Sequence, residues 1–242
     1  MRHASVFYTP FCSRMVVRWQ MKDISVVSLT TLAAEALANA EALLHEASTL
    51  LSANHYARAY FLAVASIEEV GKAAIAFNAA GRNLSDQKVA KAIRNKLLDH
   101  KSKIISAFAS SLHLTNKKNL SEAIEATMGL ISDLRRGREP SMYTEILMDG
   151  SVRKPSEIVR PVAARDTVRL AQHCLIRAQS YIPNSQPPRA SAANDFFYTQ
   201  STAKLQEIMG QEQFSGFYTD RIDVGLHDLE EAIYAFVNRS AD

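Results

Sequence analysis

The sequence predicts an all-α protein, an antiparallel bundle of four to five helices with extra helices at its C-terminal end. Apolar residues recur at i, i+3, i+4 and i+7 through most of the chain, the segments so patterned are long, and the connections between the first four are short. The two-residue alternation of half-buried strands is confined to one weak stretch near residues 141–157.

The first helix runs from Leu29 to Leu51, with Leu29, Leu32, Ala33, Ala36, Leu37 and Ala40 on one face and Glu35, Glu41 and Glu46 turned outward. A second, from His55 to Ala80, is apolar almost all round and is ended by Gly81 with Asn83. The third spans Ser85 to Leu114, where Val89, Ile93, Leu97, Ile104, Phe108 and Leu112 keep helical spacing and Ser85 is placed to cap it. Ser121 and Ile124 open a fourth that lasts to Arg136. Residues 137–158 read as loop, with Asp149-Gly150 as the turn of a short hairpin. A fifth helix covers Val162 to Tyr181. Beyond the proline-rich linker IPNSQPPRASAAND lie two weaker helical stretches, 195–209 and 223–238.

The expected organisation is therefore a mobile N-terminal extension (1–22), a bundle (23–182), and a linker with a helical tail (183–242). Arg2, Arg14 and Arg18, with no acid among them, carry as much positive charge as the net +3 of the whole chain, so the body is neutral. The extension has no apolar run suited to a signal peptide and ends just before Met21, an alternative start. Two distant cysteines, Cys12 and Cys174, indicate neither a disulfide framework nor a zinc site. Charges interrupt the most apolar stretch, so no membrane span is expected and a cytoplasmic setting fits. No HExxH, phosphate-binding loop or GxSxG occurs.

Two features depart from plain core patterning. Glu68, Glu69 and Lys72 sit at the centre of the otherwise apolar second helix, where carboxylates need a cleft or partners from neighbouring helices. Residues 82–103 carry Arg82, Lys88, Lys91, Arg94, Lys96, Lys101 and Lys103 against Asp86 and Asp99, and Lys117, Lys118, Arg135, Arg136 and Arg138 follow. A solvated helix face is the plain reading of such a run; an anion-binding face is the sharper one. His100 lies within it, and on an ideal helix Lys96, His100 and Lys103 share a face.

The segments HYARAYFLAVASIEEVGKA, RNKLLDHKSKI and PSMYTEILMDG, in that order, resemble the AbiV family of bacterial abortive infection proteins, helical bundles of the HEPN superfamily. The resemblance covers residues 29–182. Its markers are Glu68, Glu69, Gly71 and Lys72, supported by His100, Lys101 and Lys103. Many HEPN proteins are metal-independent endoribonucleases with an arginine four to six residues before a histidine, and Arg94 with His100 fits that spacing. The resemblance implies an antiphage toxin that cleaves RNA, a site shared across a homodimer, and no cofactor or metal. Its catalytic residues are then His100, Arg94, Lys72 and Glu69, with Glu68, Lys96, Lys101, Lys103 and Tyr143 binding substrate.

The chemistry suits these residue types. Cleaving RNA without a metal needs a base for the 2′-hydroxyl proton and cations for the charge that grows on phosphate. Imidazole as a residue type suits the first, and Arg94 with Lys72 or Lys103 the second. On an ideal helix Arg94 and His100 point about 120° apart and lie about 9 Å apart along the axis. A break between them, a long reach by Arg94, or a second subunit would reconcile the two. Glu69 is expected to orient His100, and Glu68 to pair with Lys72 at i, i+4. A purely structural polar network is the competing account of the same residues.

Of the remaining residues, His55 and Arg58 read as a helix start on the surface, and Tyr143 either stacks on a base or pins its loop. His113, His173 and His227 have no neighbours that suggest ligation. The competing function is a noncatalytic helical module that senses or blocks a phage or host protein.

Overall fold

The computed structural model describes residues 24–109, 120–226 and 228–239. The N-terminal extension, Leu112 and Leu114 of the third predicted helix, His113, Lys117, Lys118 and His227 lie outside the described residues.

Among the described residues the regular structure is helical apart from one two-stranded ribbon. Helix α1 (Val26–Ser52) starts at a reciprocal cap in which Ser25 and Ser28 exchange side-chain and backbone bonds. It ends in a tight turn: Asn54, at φ 63, takes the left-handed conformation while its N–H and that of His55 bond the Leu51 and Leu50 carbonyls. That turn sends α2 (Tyr56–Ala80) back antiparallel to α1. The buried Ser66 hydroxyl fixes the pair by donating to the Ala40 carbonyl at 2.8 Å. By length and composition α1 is apolar enough to cross a membrane, its best window reaching a mean hydropathy of 1.2. In the fold Leu29, Ala33, Ala36, Leu37, Ala40 and Ala47 are buried on one face, against α2 and α7.

Helix α2 is the axis of the bundle. Its residues are buried nearly all round because α1, α3 (Gln87–Leu98), α4 (His100–Ala109), α5 (Leu120–Arg138), α6 (Pro155–Ile158) and α7 (Pro161–Tyr181) all pack on it. Val64, Ile67 and Val70 of α2, Ile93, Ile104, Leu134 and Val168 form the main core. The ribbon β1 (Glu145–Ile146) and β2 (Val152–Arg153) pairs Glu145 with Arg153 and Ile146 with Val152. Gly150, at φ 80, supplies its turn, as the Asp149-Gly150 pair predicts.

Four expectations need correction. The third predicted helix is two: Asp99 breaks it in an extended conformation (φ −78, ψ 118), and its carboxylate accepts from the Ser102 N–H and hydroxyl at 2.7 Å each. The first cap is Asp86 rather than Ser85, accepting from the Lys88 N–H at 2.7 Å. The stretch 195–209 divides into α8 (Ala192–Thr199) and α9 (Thr202–Met209). An unanticipated helix, α10 (Glu212–Asp223), precedes α11 (Leu229–Asn238), because Gly216 and Thr219 weaken a pattern that Phe214, Phe217, Tyr218 and Arg221 still carry. These last helices enclose a second, smaller core of Ile208, Phe214, Ala232, Ile233 and Phe236.

Two glycines record close backbone approaches. A Cβ on Gly71 would lie 1.7 Å from the Lys103 carbonyl oxygen, so α4 crosses α2 with its backbone against that glycine. A Cβ on Gly81 would lie 1.7 Å from the Pro188 carbonyl oxygen, so the proline-rich linker runs over the end of α2. Gly71→Ala is therefore expected to cost about 3 kcal/mol or more. Gly129→Ala, on α5 with nothing within 4 Å, is expected to be neutral or to gain up to about 1 kcal/mol. Urea unfolding of the two variants beside the parent checks the contrast.

Candidate functional site

The centre of α2 meets the start of α4 and the end of α5 around one carboxylate. Glu68 is only 4% exposed. The His100 Nδ1 lies 2.7 Å from its Oε2, Lys103 Nζ lies 3.5 Å from the same oxygen, and Arg138 Nε lies 3.1 Å from Oε1. The first is a hydrogen bond, while Arg138 makes a charge contact without hydrogen-bond alignment. An ionised carboxylate only accepts, so Nδ1 carries the proton in that bond and Nε2 is the free nitrogen. The His100 side chain is half exposed, whereas Lys103 forms part of the wall at 9%. Arg138 also covers the Phe61 ring, with its guanidinium 5.2 Å from the centroid.

The break at Asp99 makes this convergence, since it starts α4 at His100 and turns the imidazole toward α2. Gly71 lets the α4 backbone close in until Lys103 reaches Glu68. On α2, Arg58, Phe61, Glu69 and Lys72 fall within an arc of about 80° and are exposed or half-buried, while Glu68, about 20° beyond it, is covered by α4 and α5.

Two pairings differ from those the spacing predicts. Glu68, not Glu69, holds His100, because neighbouring residues on α2 diverge by about 100° and α4 docks on the Glu68 side. Lys72 pairs with Glu69 at i, i+3 instead of with Glu68, whose oxygens are already taken. Lys101 is half-buried and Arg94 half-buried; neither joins the cluster by a hydrogen bond or ion pair among the described residues. Tyr143 is 63% exposed, so it does not pin its loop. Arg138 is the member that sequence reasoning left among the background charges. Its signal was present: a cation at a helix end directly after Gly137, where a Cβ would lie 2.5 Å from the Tyr60 hydroxyl.

Lys96 belongs elsewhere, since the break removes it from the face of His100. Its ammonium sits 3.6 Å above the Tyr198 ring of α8, beside Arg82 and Glu230, which pair at 3.4 Å. This is where the C-terminal helices hold the bundle. Burial first, then the like charge of Arg82, draws Lys96 from the ordinary 10.5 down to about 8, against an upward push from Glu230. Burial likewise pushes the Tyr198 phenol up. Among the described residues no group of His, Cys, Asp and Glu could hold a metal ion.

Glu68→Gln is expected to destabilise by about 3 kcal/mol or more, because it strands two cations at a buried carbonyl. Glu69→Gln, in a half-buried pair, is expected to cost under about 1 kcal/mol. Urea titration distinguishes them. Because Lys96 loses its proton earlier when folded than when unfolded, the unfolded chain binds more protons between pH 8 and 10, and stability rises across that window. Melting scans at pH 8 and pH 10 are expected to show a gain of a few degrees that Lys96→Met abolishes, since 1 kcal/mol moves a domain of this size by about 2–4 °C.

Set against known families, the chain matches the family model HEPN_AbiV, described as AbiV, over residues 28–176, more than half its length. No curated protein and no solved structure matches it.

Proposed function

The chain belongs to the AbiV family of HEPN proteins, and from that premise we propose that it is an abortive infection toxin of bacterial antiphage defence, a metal-independent endoribonuclease acting in the cytoplasm. The observation that carries this reading is the His100–Glu68 pair: a buried carboxylate fixes one imidazole nitrogen at 2.7 Å on a side chain that is itself half exposed.

In the proposed reaction His100 Nε2 takes the proton of a ribose 2′-hydroxyl, and the oxygen attacks the adjacent phosphorus. Arg138, Lys72 and the Lys103 ammonium behind them hold the charge that develops on the phosphate oxygens. The P–O bond to the next ribose breaks, its 5′-oxygen takes a proton from water, and the products are a 2′,3′-cyclic phosphate and a 5′-hydroxyl. Glu68 acts by positioning the imidazole and balancing its charge once protonated. Lys101 and the exposed Tyr143 ring are assigned to strand binding in this reading. Arg94, without an ion pair among the described residues, is assigned to the site of a second subunit in a homodimer. Lys96 and Glu69 are the members of the predicted set that this reading gives up, Lys96 because it is engaged with Tyr198 and Glu69 because it pairs with Lys72 instead of orienting His100.

One observation favours a second reading, a noncatalytic module that senses or blocks a phage or host protein. The ribbon exposes Tyr143, Ile146, Met148 and Val152 together. One experiment separates the two. Purified protein with total RNA and a chelator is expected to yield cyclic-phosphate ends, reduced about 10² to 10⁴-fold by His100→Ala and also lowered by Lys72→Ala. No cleavage by the parent, with phage protection retained in cells, overturns the nuclease in favour of the binding module.

A further inference from the structure

We infer that the cleft at the start of α2 is a second binding site, for the phosphate and base of a single nucleotide unit. The cleft has a volume of about 490 Å³, and His55, Arg58 and Lys154 line it with Tyr56, Ser141 and Thr144. Among the described residues no acidic one lines it. His55, Arg58 and Lys154 are exposed, and none makes a side-chain ion pair among the described residues. This sets the cleft apart from the one around Arg135 and Arg136, whose lining includes Glu139 and Glu145 and so offers an anion little net charge. Cations that gather around a concave space with no counterion among the side chains favour a ligand that brings the negative charge itself.

The rest of the lining fits a nucleotide better than an inorganic anion. The volume lies in the range of small-molecule sites, and the half-buried Tyr56 ring and the Met142 side chain supply apolar surface for a base. The Tyr56 hydroxyl donates to Asn54 Oδ1 at 2.5 Å, which holds the ring in place. His55 makes no side-chain cap, so the first-turn N–H groups of α2 keep no side-chain acceptor and add to the donors facing the cleft.

The cleft also joins the Glu68 cluster. Ser141, fully buried in its wall, donates to the Arg138 carbonyl at 2.5 Å, and Arg138 contacts Glu68. Arg58 and Glu68 lie ten residues apart on α2, about 15 Å along the axis. That spacing places the cleft a few nucleotides from the proposed scissile phosphate. Whether the unit belongs to the RNA strand rests on the nuclease reading; binding of a nucleotide phosphate at the cleft does not.

The test is binding of two probes, adenosine 5′-monophosphate and a short fully 2′-O-methylated oligoribonucleotide that cannot be cleaved. The parent, Arg58→Gln/Lys154→Gln and Lys204→Gln are compared by calorimetry across a range of salt. The double variant is expected to bind at least about tenfold more weakly, with a salt dependence shallower by about 0.7 for each cation removed. Lys204→Gln, which removes an exposed cation of α9, is expected to bind like the parent. Loss on the oligonucleotide alone identifies the strand as the source, and loss on the monophosphate identifies a free nucleotide. Equal binding by parent and double variant, or no binding of either probe by the parent, overturns the proposal. A parent that cleaves no RNA but loses probe binding in the double variant sinks the nuclease reading and leaves this site standing.

Discussion

A buried carboxylate at the middle of the central helix dictates how the rest of this bundle meets it. Glu68 has almost no access to water, and an ion removed from water must recover several kcal/mol from its neighbours. The neighbours are His100 and Lys103 from one turn of α4, and Arg138 from the last turn of α5. Each belongs to a helix whose apolar face alone would tolerate rotation or sliding by a residue. The requirement to meet one carboxylate removes that freedom. Gly71, one turn further along α2, is the steric counterpart: only with no side chain there can the α4 backbone come near enough for Lys103 to reach.

The long helices were legible because their apolar faces are continuous. The periodicity of Leu29 through Leu51 and of Val162 through Tyr181 is fixed by burial against α2, and burial is what periodicity records. Polar pairings were only partly legible. Glu68 and Glu69 are equivalent to any reading of spacing, and which one faces His100 depends on the docking side of α4, a tertiary choice. The break at Asp99 was written more plainly: Asp99 with Ser102 three residues on is a cap signal, but it lay inside a longer apolar repeat that continued through it. Arg138 escaped notice because Arg135, Arg136 and Arg138 read as one run, in which only the glycine before the last of them sets it apart.

The C-terminal helices show the same division between what apolar pattern and polar contact can convey. Ile208, Ile233 and Phe236 of their small core fall in the stretches read as helical and Phe214 does not, and nothing in the pattern says where that core sits. Its position rests on Lys96 over Tyr198 and on Arg82 with Glu230. The basic run of residues 82–103 is thereby divided in two. Arg82 and Lys96 are engaged with the tail, Lys103 is spent on Glu68, and the remaining lysines face solvent or lie half-buried. A charge run that looks uniform in sequence performs three separate jobs.

The division bears on whether the Glu68 cluster is only a register device. A structural network gains most when every member is enclosed, because each exposed donor weakens the bonds it takes part in. Glu68 and Lys103 meet that condition. His100 does not: half of its side chain is open to solvent. The Lys103 contact also ties α4 to Glu68 and the Arg138 contact ties α5 to it, so a purely structural network of these helices does not call for an exposed member. The His100 bond to Glu68 thus ties α4 to α2 and leaves half of the side chain exposed, and it is this exposure, which register alone does not need, that the proposed proton transfer uses.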